Sequence, residues 1–136
     1  MFKGVRLGLA ALMTAALLGA APSAFASTKA APKAIDRGVE KRGQCSAGSE
    51  WKLKVGADNS QLEVEFEVDS NVVGQTWKVV LKDNDTEFFR GKRMTQAPSG
   101  SFEVRQFTEN QPGNDHVVGK AKNPATGETC KGSINF

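Results

Sequence analysis

The residue types that this sequence lacks exclude several kinds of metal and catalytic site. It has no tyrosine, two cysteines and a single histidine, His116. One histidine and two cysteines are too few ligands for a four-coordinate zinc site, and Cys45 and Cys130 do not form a Cys-x-x-Cys redox motif. A catalytic triad needs its histidine beside an activated nucleophile, and no motif here supplies one. We therefore predict no metal, no cofactor and no catalytic residue, and interpret His116 as a strand-start or surface residue.

The sequence also lacks a large excess of either charge and a second long apolar run. Its 18 lysines and arginines nearly balance 15 aspartates and glutamates. Nucleic-acid binding needs a patch of one sign to neutralise phosphates, so we predict no nucleic-acid partner. A membrane span needs roughly 20 apolar residues, and no run of that length follows the amino-terminal segment. A chain of 136 residues holds one domain and leaves little room for the loops of a large enzyme.

Residues 1–26 have the organisation of a secretory signal peptide. Lys3 and Arg6 give a charged start, an apolar stretch covers residues 7–20, and residues 24–26 supply the small side chains of a cleavage site. We predict that this segment is removed. The mature protein is then secreted and extracellular, and it is not inserted in a membrane.

Residues 27–43 are predicted to form a flexible basic tail. They carry five basic and two acidic residues and hardly any large apolar side chain. The remaining domain, residues 44–136, carries 11 basic and 13 acidic residues and is slightly acidic. A basic tail can touch an anionic cell surface, although a solvated leader is the simpler interpretation.

Secretion makes the two cysteines informative. Thiols usually pair in an oxidising compartment, and two cysteines leave one intrachain connectivity, Cys45 to Cys130. The bridge closes a loop over most of the mature domain, which the chain-entropy model values at roughly 4 to 5 kcal/mol. We predict that this disulfide is structural.

The mature chain alternates apolar and polar residues with the period of β-strands. In the segment 62–68, for example, every second residue is apolar and the residues between are glutamates. Clusters of glycine, proline, asparagine and aspartate separate such segments, and none shows helical periodicity. We predict an all-β, antiparallel, immunoglobulin-like β-sandwich with one disulfide. It has seven strands, beginning at Trp51, Leu62, Trp77, Thr86, Ser101, His116 and Thr129, or eight if residues 39–45 add a short one.

Turns fix which side chains share a face of a hairpin. A tight turn at residues 84–85 sets Leu81 opposite Phe88 on the core side. The same register sets Val80 opposite Phe89 on the outer face. We expect Val80 and Phe89 to form an exposed apolar pair, which is a candidate partner site.

The loop 123–128 fixes the last hairpin in the same way. It sets Lys122 opposite Thr129 and turns Cys130, in the last strand, toward the core. Small residues on that face leave room for a large neighbour, and we expect Trp51 or Trp77 to pack over the disulfide. The predicted core face comprises Val117, Gly119, Ala121, Cys130, Gly132 and Ile134.

Several segments resemble a group of small secreted proteins. The stretches Cys45-Ser46-Ala47-Gly48-Ser49-Glu50-Trp51-Lys52-Leu53-Lys54 and Asn123-Pro124-Ala125-Thr126-Gly127-Glu128-Thr129-Cys130 are similar to those of secreted actinobacterial proteins of unassigned function. The likeness covers nearly all of the mature domain. It implies a disulfide-closed extracellular β-domain, similar to immunoglobulin and fibronectin type III domains, and brings no catalytic residue with it.

Two acidic motifs invite functional interpretations. Glu63, Glu65 and Glu67 could serve as paired catalytic carboxylates, but period two also places them on the solvent side of a strand, opposite Lys52 and Lys54. The second motif, Asp83 to Glu87, has the oxygen-rich composition of a calcium loop, but it lacks the glycine and late glutamate of an EF-hand. We interpret the first as a strand surface and the second as a hairpin turn.

A basic cluster is the other candidate site. Arg90, Lys92 and Arg93 stand within four residues and could contact an anionic polymer such as a cell-wall glycan. The alternative is a charged edge strand that discourages aggregation between sheets. Together with Val80 and Phe89 they are the residues that we predict for partner binding.

The sequence therefore predicts a secreted, non-enzymatic binding or interaction module at the cell exterior. Its partner is an unknown protein or an anionic cell-envelope polymer. Two alternatives stay open. One is a secreted inhibitor or small-ligand carrier that uses the loops or the cleft between the sheets, and the other is a small secreted hydrolase.

Overall fold

The computed structural model of the protein describes residues 38–136. This range forms eight strands and no helix, and so contains no helix that could cross a membrane. The predicted signal peptide and residues 27–37 of the predicted tail lie outside the described residues. The strands are β1 (Val39–Gln44), β2 (Glu50–Asp58), β3 (Gln61–Asp69), β4 (Thr76–Asp83), β5 (Thr86–Met94), β6 (Ser101–Glu109), β7 (His116–Lys122) and β8 (Thr129–Asn135).

The strands form two antiparallel sheets of four. Sheet 1 has the order β1-β2-β3-β6, and sheet 2 has the order β5-β4-β7-β8. Four pairings join consecutive strands as hairpins, whereas β3 pairs with β6 and β4 pairs with β7. The chain therefore crosses between the sheets in the Greek-key manner of an immunoglobulin-like sandwich. The predicted fold class is confirmed.

Alternating side chains from both sheets build the core. Trp77 of β4 is completely buried, and its ring centroid lies 6.3 Å from that of Phe102 of β6. Burial of these apolar side chains is the main force that holds the two sheets together. The four inward residues of β3 are also completely buried; they are Leu62, Val64, Phe66 and Val68.

The predicted disulfide between Cys45 and Cys130 is present. Cys45 directly follows β1 at the edge of sheet 1, and Cys130 lies in β8 at the edge of sheet 2. The bridge therefore joins the two sheets along one side of the sandwich. An intramolecular bridge of this kind is typical of proteins that fold in an oxidising compartment.

The loop that follows Cys45 is held by the carboxylate of Glu128. Its Oε2 accepts hydrogen bonds from the amides of Ala47 at 3.0 Å and Ser49 at 2.9 Å, and its Oε1 accepts one from the Ser49 hydroxyl at 2.6 Å. Burial alone would raise the pKa of Glu128, but these hydrogen bonds outweigh burial and lower the pKa below its ordinary value of 4.5. The loop is thereby tied to the start of β8.

Glycines on two strands make room for Trp51 of β2. A Cβ atom on Gly43 would lie 2.6 Å from the Trp51 ring, and one on Gly132 would lie closer still. Gly132 follows Cys130 by two residues on the same inward face of β8. Trp51 therefore takes the space beside the disulfide, whereas Trp77 lies in the core.

The sheet begins earlier in the chain than the predicted domain boundary. Residues 39–44 form β1, which pairs with β2 along its whole length. Residues 39–44 are thus the short eighth strand that the sequence allowed, and the sheet starts before the predicted tail boundary at residue 43. The physical reason is that backbone pairing with β2 does not require large apolar side chains, which were the signal sought in the sequence.

The predicted register of the last hairpin is confirmed. Lys122 lies opposite Thr129, and the inward residues of β7 and β8 are buried. Asn123 shapes the turn, because its Oδ1 accepts hydrogen bonds from the amides of Ala125 at 3.0 Å and Thr126 at 3.3 Å. This side-chain turn is what asparagine favours at such positions.

The β4–β5 hairpin departs from its predicted register after two pairs. The turn at residues 84–85 has positive φ angles of 45° and 67°, typical of a type I′ turn, and Asp83 pairs with Thr86 beside it. A β-bulge then sets Leu81 opposite Phe89. The predicted pairs of Leu81 with Phe88 and of Val80 with Phe89 are therefore wrong.

The two consecutive phenylalanines explain the bulge. Strict alternation would bury one and expose the other, whereas the bulge turns both toward the core, where each is half-buried. Gly91 helps, because a Cβ at this position would lie 2.9 Å from the Phe89 ring. The bulge also decides which later residues of β5 face outward.

Candidate functional site

The outer face of sheet 2 carries a row of lysines. Lys78 of β4 is paired with Lys92 of β5 on one side and with Lys122 of β7 on the other. All three side chains are exposed. Because neighbouring strands are about 4.8 Å apart, three positive charges lie in line across the sheet.

A second row lies about 7 Å further along the strands. Arg90 of β5 is opposite Val80 of β4, Val80 is opposite Lys120 of β7, and Lys120 is opposite Lys131 of β8. The three cationic side chains are exposed, and Val80 is half-buried. The second row therefore extends across all four strands.

We call the outward residues of sheet 2 the basic face. In the part of the chain that the structure describes, this face carries seven basic side chains and one acidic side chain. The acidic one, Glu87, accepts hydrogen bonds from Arg90 at 2.8 and 2.7 Å. The basic residues are Lys78, Lys82, Arg90, Lys92, Lys120, Lys122 and Lys131.

Pairs of like charge on this face destabilise the folded protein. Lys78 with Lys92, Lys78 with Lys122, and Lys120 with Lys131 are direct cross-strand neighbours. Such pairs destabilise a sheet by up to about 1 kcal/mol each. Among residues 38–136, no carboxylate forms an ion pair with any of these five lysines. The face therefore has uncompensated positive charge, which is what binding of a polyanion requires.

The bulge in β5 determines which cations of this strand point outward. It turns Arg90 and Lys92 outward, to the same side as Lys78. Without it, the side-chain alternation would have placed Gly91 and Arg93 on the outer face instead. A local distortion that buries two phenylalanines thus decides which cations of β5 belong to the basic face.

The structure separates the residues that were predicted for partner binding. Val80, Arg90 and Lys92 lie together on the basic face. Arg93 lies on the other side of β5, with its guanidinium carbon 5.1 Å from the centre of the Phe89 ring. Phe89 packs against the core, so Arg93 and Phe89 do not belong to the basic face.

Reasoning from the sequence missed most of the lysines on the basic face. It searched for consecutive charges, whereas a strand brings alternate residues to one face. A signal was present in Lys120-Ala121-Lys122, since the predicted register of the last hairpin already set Lys120 opposite Lys131. The basic-face residues that were not predicted for partner binding are Lys78, Lys82, Lys120, Lys122 and Lys131.

The outer face of sheet 1 arranges its charges differently. Arg105 of β6 lies against two carboxylates of β3, with Nε 3.1 Å from Glu63 and a terminal nitrogen 2.5 Å from Glu65. Glu63 and Glu65 are only 6% and 8% exposed, so they are not the solvent-facing residues that were predicted. Lys52 forms an ion pair with Glu67, and this predicted partnership is confirmed. The glutamates of β3 therefore neutralise cations of neighbouring strands.

We call the outward residues of sheet 1 the acidic face. Within residues 38–136 it carries nine acidic and four basic side chains. Three of the four basic residues form ion pairs on the face itself. The acidic residues are Glu40, Glu50, Asp58, Glu63, Glu65, Glu67, Asp69, Glu103 and Glu109, and the basic ones are Arg42, Lys52, Lys54 and Arg105.

His116 lies at the start of β7 and is exposed, as predicted. Its Nδ1 is 2.6 Å from the side-chain oxygen of Asn135. An amide is not a nucleophile, so this contact gives no support to a hydrolase. The described residues also contain no group of three or more histidines, cysteines, aspartates or glutamates placed to hold a metal ion.

A cleft of about 590 Å³ lies between the β4–β5 turn and residues 108–112. Asp83 in its wall is 5% exposed, and burial together with the charge of Asp115 raises the pKa of Asp83. Phe88 and Pro112 are the apolar residues among its lining. The cleft thus offers little apolar surface to a small-molecule ligand.

Comparisons with protein-family models, with curated proteins and with solved structures find no match to this chain. Inference about its function therefore depends on the site itself.

Proposed function

We propose that this protein is a secreted, non-enzymatic binding module that holds an anionic polymer of the cell envelope on its basic face. The observation that carries the proposal is the set of exposed cross-strand lysine pairs, which cost stability and have no ion-pair partner among residues 38–136. A ligand with closely spaced negative charges would remove this repulsion. The predicted signal peptide and the disulfide support a place outside the cell.

The composition of the face favours recognition by charge. Six of its seven cations are lysines, and the arginine is already engaged with Glu87. A lysine acts as a point charge and does not impose the bidentate geometry of arginine. The outward residues of sheet 2 include no phenylalanine or tryptophan that could stack on a nucleobase or a sugar ring. A flexible, linear polymer of phosphodiesters fits these properties.

The two rows indicate the direction in which a bound polymer would lie on the sheet. They contain six cations, and both run across the strands. A polymer that crosses the strands along them makes up to six charge contacts. By analogy with single-stranded nucleic acids, the logarithm of its affinity should fall with the logarithm of salt concentration with a slope of about −4.

The experiment measures binding of poly(glycerol phosphate) to protein collected from the medium after expression of the full-length chain. The test variant carries Lys92→Glu and Lys120→Glu, and each change sets a glutamate opposite a lysine, so the fold is preserved. We expect this variant to bind at least about tenfold more weakly than the wild type and with a shallower salt dependence. The matched control is Arg93→Glu, which reverses a charge of the same sequence cluster on the other side of β5 and should leave binding unchanged.

Two results would contradict the proposal. Equal binding by the wild type and the double variant would show that the basic face is not the site. Tighter binding of double-stranded DNA than of poly(glycerol phosphate) at the same salt concentration would assign the face to nucleic acid. Neutral dextran is the negative control.

A further inference from the structure

The two outer faces carry net charges of opposite sign. Among the described residues, the basic face has seven cations and one anion, whereas the acidic face has nine anions and four cations. The faces lie on opposite sides of the sandwich because the core separates the sheets. Residues 38–136 together carry 13 basic and 14 acidic side chains, so the described domain is strongly dipolar but nearly neutral.

The acidic face also contains two cross-strand pairs of acidic residues, and only one of them lacks an ion-pair cation among residues 38–136. Glu50 of β2 is opposite Asp69 of β3, and Glu67 of β3 is opposite Glu103 of β6. Glu50 and Glu103 are exposed. Glu67 pairs with Lys52, and Glu103 lies 3.9 Å from Arg105. The pair of Glu50 and Asp69 is therefore the counterpart of the lysine pairs on the basic face, since it is repelled within its own molecule and attracted by the lysines of another copy.

We infer that copies of this chain associate head to tail, with the acidic face of one copy on the basic face of the next. Weak net charge supports this, because nearly neutral copies do not repel each other at a distance. The contact is heterologous, since it joins two different surfaces. It therefore leaves one free face at each end and adds further copies in an open row.

The size of the faces makes the association weak. Four strands about 4.8 Å apart and seven residues with a rise of about 3.3 Å give each face roughly 400 Å². A standard stable interface buries about 800 Å² on each partner. The contact is also electrostatic and exposed, so we expect it only at low salt and high protein concentration.

The inference shares the basic face with the proposed function, but it does not depend on the polymer. A polyanion and the acidic face of a neighbouring copy compete for the same lysines. Binding of the polymer therefore releases a copy from the row, and the row limits access to the face when no polymer is present.

Sedimentation velocity of the full-length secreted protein at low and moderate salt tests the association. The basic-face variant is Lys92→Glu with Lys120→Glu. The acidic-face variant is Glu50→Lys with Glu103→Lys, where each new lysine faces a carboxylate across the strands, so both variants retain favourable pairs. We expect the average mass of the wild type to rise with concentration at low salt and to return to the monomer at moderate salt, whereas each variant alone stays a monomer.

An equal mixture of the two variants is the decisive sample. Each supplies the intact face that the other lacks, so the mixture should form dimers and nothing larger. A wild type that stays monomeric at low salt, a mixture that stays monomeric, or an assembly that survives moderate salt would overturn the inference.

Polymer binding separates this inference from the proposed function. The acidic-face variant should bind poly(glycerol phosphate) at least as well as the wild type, because its basic face is intact and has no competitor. Association without polymer binding would leave the inference standing and reject the proposed function. Polymer binding without association would do the reverse.

Discussion

The acidic and basic faces are both outward surfaces of four antiparallel strands, yet they differ in whether their cations are paired with anions. On the acidic face, Arg105 lies between the buried carboxylates of Glu63 and Glu65, and most other cations also stand beside an anion. On the basic face, lysines stand beside lysines, such as Lys120 and Lys131. The first arrangement is explained by the folding of the molecule itself. The second opposes folding, and the polyanion binding that we propose would explain it.

The largest expected effect concerns the arginine of the acidic face. Arg105→Met should reduce the free energy of unfolding by about 2–3 kcal/mol, because it leaves Glu63 and Glu65 buried without their cation. The loss should be smaller than that for a fully buried ion pair, since Arg105 is partly exposed. On the basic face, Arg90→Met removes a fully exposed ion pair with Glu87 and should cost far less than Arg105→Met, because solvent screens exposed pairs. Urea denaturation of both variants measures the difference. Similar losses would show that the two faces do not differ in this respect.

The next effect tests which residues of β5 belong to the basic face. Phe89→Ala should cost about 2 kcal/mol, since the half-buried ring packs against the core. Val80→Ala, which truncates an outward residue, should cost less than about 1 kcal/mol. Denaturant melts give both values. If Phe89→Ala were neutral, the bulge would be absent, and Arg90 and Lys92 would point away from the basic face.

A carboxylate that is satisfied by hydrogen bonds provides a third case. Glu128→Gln should cost about 1–2 kcal/mol at pH 7, because the charged acceptor of the Ala47 and Ser49 amides becomes neutral. The pKa of Glu128 is lower in the folded state than its ordinary value of 4.5, so its stabilising contribution is complete above 4.5 and is lost as the pH falls through the folded pKa.

Melts of wild type and Glu128→Gln over a range of pH check this sign. The difference between their unfolding free energies should shrink as the pH falls below 4.5. A constant difference across that range would mean that the hydrogen bonds do not depend on the charge of Glu128.

The smallest expected effect is a gain in stability on the basic face. Lys120→Glu turns the repulsive pair with Lys131 into an attractive one and should stabilise the fold by about 0.5 kcal/mol at low salt. The gain should diminish as salt rises, because exposed charges are screened. The control is Lys41→Glu on β1, where the cross-strand partner is the apolar Leu53 and no such gain is expected. A loss of stability for Lys120→Glu would show that the lysine pairs are not repulsive.

Much of the fold could be predicted from local patterns. Alternation located the strands, and the turns at residues 84–85 and 123–128 located two hairpins. The disulfide followed from the number of cysteines and the predicted export. These features depend on neighbours in sequence or on the absence of alternatives. The bulge could not be predicted in this way, because it depends on the core space available to Phe88 and Phe89.

The candidate site was only partly accessible from the sequence. The last hairpin already implied that Lys120 faces Lys131, and that part needed no tertiary information. Lys78 and Lys122 became neighbours in the first row only when β4 was found beside β7. These two lysines lie far apart in sequence, and no local pattern specifies which strands pair across a Greek-key crossover.

The sequence by itself determined which residues of most strands face outward, since side chains alternate along any strand. It also determined the small net charge of the chain, which is +3 over 136 residues. The tertiary structure alone decided that the charges separate by face, with an excess of anions on sheet 1 and of cations on sheet 2. The physical reason is that strand order, which core packing selects, sets the neighbours of each charge. Composition counts these charges without regard to position, so a balanced total conceals two faces of opposite sign.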